Sequence, residues 1–87
     1  GYTMTDRGTY IKYADTKDGN PPLVVLVEGD KVLFNQYSAL AVNTAKCKSA
    51  QYDLATKFIG WMASPDTQKA IGDFKLLGKK LFIPNAQ

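Results

Sequence analysis

The apolar residues of this chain are distributed in two different ways along its length. Up to about residue 45 they fall in short runs. Tyr2 to Tyr13 alternates in part and is rich in Thr and Tyr, which predicts a short strand leading into a turn over Asp6–Thr9. A polar loop follows from Asp15 to Pro22, with Asp18-Gly19-Asn20 as its turn and two prolines that bar a helix. Leu23–Val27 is continuous, β-branched and bounded by turn residues, the mark of a strand covered on both faces. Glu28-Gly29-Asp30 ends it, Leu33–Tyr37 follows, and Ser38–Val42 reads as another strand, its small residues suited to close packing.

From Ser49 the period lengthens. Tyr52, Ala55, Phe58, Ile59 and Met62 recur at three and four residues, predicting an amphipathic helix whose apolar stripe Leu54 and Trp61 widen. Trp61 and Met62 are expected in the core. Ser64-Pro65-Asp66 then supplies an N-cap, a first-turn proline and a first-turn acid, so a second helix starts there with Ala70, Ile71 and Phe74 inward. Gly78 closes that region, and Leu81–Asn85 is a last extended piece ended by its proline. Three strands and two helices make an α/β layer short of the helices needed to cover a sheet on both faces. The pattern therefore points to part of a larger α/β protein.

Composition narrows the chemistry. With 87 residues the chain has room for one small domain or a part of one, and 45% hydrophobic content excludes a disordered chain. There is no histidine and one cysteine, Cys47, which removes a histidine general base, an internal disulfide and a zinc site. The net charge of +3 is uneven: residues 1–45 carry four positive and five negative charges, and residues 46–87 carry seven and three. The surplus is lysine spread along the helical part, a solvated face with no arginine cluster or stacking motif for nucleic acid.

One segment, Thr5-Asp6-Arg7-Gly8-Thr9-Tyr10, holds the only arginine of the chain among hydroxyls and a glycine. A guanidinium carries five donors in a fixed fork, and threonine hydroxyls add short-range donors, a set suited to a tetrahedral oxyanion. Arg7 can equally serve as a structural cation paired with Asp6 or Asp15, and Thr5 and Thr9 can equally be ordinary strand residues. Gly8 is expected to turn the chain; Asp6 either orients Arg7 or caps a helix beginning near Thr9. Glu28 and Asp30 have the look of paired carboxylates, but Gly29 between them marks an exposed turn, and no nucleophile with a base accompanies them. No catalytic residue is assigned, and a non-enzymatic role is expected.

GYTMTDRGTY, LVVLVEGDKVLFNQYSALAVN, YDLATKFIGWMASPDTQKAIGDF and KLFIPNA, taken in this order, resemble the C-terminal portion of the periplasmic tungstate-binding proteins of ABC transporters. Those proteins are of the type II periplasmic binding-protein class, as are molybdate and sulfate binders. The resemblance covers nearly the whole chain. It implies an α/β fold, part of an incomplete two-lobe structure in which strands precede two C-terminal helices. Residues 1–37 would belong to the second, ligand-binding lobe, and residues 38–87 would return across the hinge to the first. It implies an oxyanion ligand, tungstate, molybdate or a similar ion, held by Arg7, Thr5 and Thr9, with no cofactor and no metal. The implied partners are a membrane permease and either the missing N-terminal portion or a second copy of the chain, and the implied location is periplasmic. Gln36 departs from the proline expected before Tyr37. The alternative is a stand-alone, self-associating α/β interaction domain that binds no ligand itself.

Overall fold

The computed structural model describes residues 1–86. Its elements in chain order are helix α1 (Arg7–Thr16), a short 3-10 turn (Lys31–Leu33), helices α2 (Tyr52–Ala63) and α3 (Pro65–Asp73), and strands β1 (Lys75–Leu76) and β2 (Lys79–Lys80).

Helix α1 replaces the strand and turn expected over Tyr2–Tyr13. The Asp6 carboxylate accepts the Thr9 N–H at 2.7 Å and satisfies one of the first-turn donors that a helix start leaves open. That cap outweighs the β-propensity of Thr and Tyr, which is a weak preference. The helix ends where Asp18 and Gly19 both take positive φ, 54° and 74°, and the Gly19 N–H returns to the Ala14 carbonyl at 2.9 Å. Gly8 lies inside the helix and makes no turn.

The helix pair forms where the periodicity places it. Ser64 is the hinge between α2 and α3. Its hydroxyl donates to the Trp61 carbonyl at 2.7 Å, accepts from the Thr67 N–H at 3.4 Å and lies 3.0 Å from the Thr67 hydroxyl, while Pro65 occupies the first helical position. Thr67 is one of two buried residues among those described. Ser64→Ala should therefore cost about 1 kcal/mol, the usual worth of a helix N-cap, read as a loss of helical circular dichroism at lower urea concentration.

Burial along the pair is narrower than expected. Ala55, Ile59, Met62 and Ile71 are half-buried, whereas Leu54, Phe58, Trp61, Ala70 and Phe74 face outward. Trp61 is 58% exposed, contrary to its expected core position, because α3 covers only one edge of a stripe wide enough for more neighbours.

The strands expected at Leu23–Val27 and Ser38–Val42 carry no pairing, and their large apolar side chains are exposed. A strand exists only where a neighbour takes its N–H and C=O groups, and the described residues offer these segments none. The sheet that does form was not expected: β1 and β2 pair antiparallel, Lys75 opposite Lys80 and Leu76 opposite Lys79, around Leu77-Gly78 with φ of 52° and 79°. Positive φ at both central residues is the twist-matched geometry of a two-residue hairpin.

The C-terminal stretch closes over this hairpin side. Gln36 and Asn85 exchange amide hydrogen bonds at 2.7 and 3.2 Å, and the Tyr37, Phe74 and Phe82 rings lie 6.2 and 6.3 Å from one another through Phe82. Gln36 thus serves as a clasp in place of the expected proline. Even so, the radius of gyration is 17.5 Å, against about 12 Å for a compact chain of this length.

Candidate functional site

Arg7 is the first residue of α1, and three parts of the chain meet on it. Its Nε donates to the Lys80 carbonyl at 3.2 Å, and its Nη1 donates to Glu28 Oε2 at 3.2 Å. Close by, the Tyr10 hydroxyl donates to the Leu23 carbonyl at 2.9 Å. The start of α1, the segment around Leu23–Glu28 and strand β2 are thereby tied together, although Arg7 and Lys80 are 73 positions apart. The structural partner of Arg7 is Glu28, not Asp6 or Asp15. The pair is open to water, with side chains 54% and 67% exposed, so it adds little stability by itself.

The helix start adds donors. The N–H groups of Arg7 and Gly8 have no partner among the described residues, and a helix N-terminus presents such groups together with a partial positive charge. The Thr9 N–H is taken by Asp6, which therefore caps the helix and does not orient Arg7. Thr5 and Thr9 are exposed and flank the cap on either side. Arg7, Thr5 and Thr9 are thus gathered within five positions on one helix start, and two hollows of the surface lie elsewhere, one lined by Ala41, Asn43, Thr44 and Tyr52, the other by residues from Leu40 to Phe58. The helix start forms an open wall, not a cavity.

The Thr9 N–H, and after it the Thr9 hydroxyl, hold the Asp6 carboxyl below its ordinary value of 3.8. A depressed folded-state value means that the cap contributes fully above the unfolded value and is lost as pH falls through the lower, folded one. Fraying of α1 is therefore expected below about pH 3.8. Asp6→Asn, which caps without titrating, should remove that acid-dependent loss of helical circular dichroism.

Glu28 and Lys80 are the two contributors that the sequence did not reveal. The Lys80 contact is a backbone carbonyl, which no residue type announces. Glu28 is the single glutamate of the chain, but no spacing rule connects it with Arg7, 21 positions away. Glu28-Gly29-Asp30 is the exposed turn the sequence predicts, with Gly29 at φ 78° and Asp30 accepting the Val32 N–H at 2.8 Å. Cys47 is exposed and unpaired, and no helix among the described residues is long and apolar enough to cross a membrane.

No protein-family model matches the sequence. Individual proteins do. The chain is 49% identical to the tungstate-binding protein TupA of Campylobacter jejuni over all of its 87 residues, and 37% identical over 98% of its length to the TupA of Peptoclostridium acidaminophilum. In backbone it is similar to the solved tungstate-binding protein TupA of Desulfovibrio alaskensis G20, with a TM-score of 0.92 and 71% identity over the whole chain. The chain spans 32% and 29% of the two relatives and 35% of the solved structure, about a third of each. By sequence and by backbone, the chain is related over its whole length to part of the tungstate-binding proteins and has part of their type II periplasmic binding-protein fold.

Proposed function

We propose that this chain supplies one wall of an oxyanion site in a two-lobed solute-binding protein serving an ABC importer, with tungstate the leading ligand and molybdate or another tetrahedral oxyanion the next. The observation that carries this reading is the match of the whole chain, at 71% identity, to about a third of a solved tungstate-binding protein. The helix start at Arg7 supplies the chemistry: a guanidinium held in place by the Lys80 carbonyl, two unpartnered backbone N–H groups and the Thr5 and Thr9 side chains. Charge-assisted donors of this kind suit a dianion, and binding without covalent chemistry needs no nucleophile or base.

Residues 1–37 are assigned to the ligand-binding lobe and residues 38–87 to the opposite lobe. The ligand draws the lobes together by a hinge motion, and the closed form is what a membrane permease recognises outside the cytoplasm. Selectivity among oxyanions then rests on cavity size and on donors from both lobes. Titration calorimetry of the full-length protein with tungstate, molybdate, sulfate and phosphate tests the reading, and absence of heat with all four sinks it.

A second reading has its own support. Leu23 through Val27 are 47–69% exposed and Leu40 is 87% exposed, a larger apolar surface than soluble chains leave open. A self-associating domain without ligand would cover these faces with a second copy.

A further inference from the structure

The two groups that hold Arg7 differ in kind. The Lys80 carbonyl belongs to a strand fixed by its pairing with β1, carries no net charge and locates the guanidinium without opposing an anion. Glu28 is a side chain with several rotatable bonds, 67% exposed, with no hydrogen bond beyond Arg7 among the described residues, and it precedes Gly29 at φ 78° in an open turn. It can swing away at small cost. Nη2 of Arg7 has no partner among the described residues, so an anion reaching the fork arrives beside a carboxylate that already occupies Nη1.

The geometry points to Glu28 as an internal counter-anion, which neutralises Arg7 in the empty protein and must leave Nη1 when the oxyanion arrives. This rests on the reading of Arg7 as an oxyanion ligand. Glu28 is a positioning residue that acts through Arg7, and two effects oppose each other in it. It orders the guanidinium, which favours binding, and it repels and competes with the incoming dianion, which disfavours binding. Competition wins here, because the Lys80 carbonyl and the capped helix start already order Arg7 without it. Glu28 therefore lowers affinity and speeds release, which suits a carrier that must surrender its ligand to a transporter.

The test is tungstate binding by the full-length protein, by calorimetry and stopped-flow dissociation, in wild type, Glu28→Gln and Glu28→Asp. The Gln variant should bind about tenfold tighter, as expected when a like charge is removed beside the ligand, with most of the change in a slower dissociation rate. The Asp variant, which keeps the charge, should stay near wild type. Both should unfold at the wild-type midpoint without ligand, and the gain from Glu28→Gln should vanish in an Arg7→Ala background. Equal or weaker binding by Glu28→Gln overturns the inference, as does a gain that persists without Arg7. If Arg7→Ala alone leaves affinity unchanged, the site reading itself falls. If Arg7→Ala weakens binding and Glu28→Gln fails to tighten it, only the counter-anion falls.

Discussion

Arg7→Ala in the full-length protein should weaken tungstate binding by about 30-fold to several thousandfold while leaving the fold in place. The magnitude follows from the loss of a charge-assisted fork facing a desolvated dianion: truncating one member of such a pair costs roughly 2–5 kcal/mol, and each 1.4 kcal/mol is about a factor of ten. The fold should survive because Arg7 is half exposed and its pair with Glu28 is solvated, a contact worth at most about 1 kcal/mol. Arg7→Lys separates charge from geometry. A lysine keeps the positive charge but loses the planar fork that reaches the Lys80 carbonyl and Glu28 together, so it should recover only a minor part of the affinity. Calorimetry on the three proteins, with circular dichroism as the check on folding, decides the matter. Unchanged affinity in Arg7→Ala removes Arg7 from the site.

How far the sequence speaks for the fold depends on where each element finds its partners. Helices α2 and α3 were legible because their signals are local: a 3.6-residue period, a serine cap and a proline at the first helical position. Helix α1 was legible only as one of two readings of Asp6, since its start depends on that carboxylate reaching one N–H within a stretch whose residue types favour strand. The strand readings at Leu23–Val27 and Ser38–Val42 describe segments fit for a sheet that the described residues do not complete. Pairing is a property of two strands, and a strand's own residues record only half of it. The hairpin at Leu77-Gly78 escaped for the opposite reason, because Leu77 holds a positive φ that its side chain disfavours and nothing in its identity announces it. At the site, Arg7 stood out by being the single arginine, whereas Glu28 and the Lys80 carbonyl became visible only when the chain was folded.

The 87-residue chain, prepared by itself, should show no sharp cooperative unfolding and should associate as its concentration rises. Among the described residues only Ile11 and Thr67 are buried, no side chain is fully so, and Ile11 is the one apolar member of the two. The accessible surface is 7766 Å², against about 5,100 Å² for a compact monomer of the same mass. The surplus of about 2,700 Å² exceeds the roughly 800 Å² that a standard protein interface removes from water on each partner. A chain so open cannot offset the backbone entropy of ordering its residues through its own contacts. Cover has to come from another surface, and two sources compete. A second copy would meet like with like along Leu23–Val27 and the groove between Leu40, Val42, Leu54 and Phe58. The portion matching the other two thirds of the relatives would instead supply the sheet neighbours that these segments lack. Gel filtration with light scattering separates the two. The proposed function predicts that adding that portion dissolves the self-associated species into a one-to-one complex, which melts cooperatively and binds tungstate. A stable dimer that ignores the added portion would favour the ligand-free interaction domain. A strictly monomeric chain with a sharp melting transition would contradict both, since it would mean that the surface at Leu23–Val27 and Leu40 finds cover within these 87 residues.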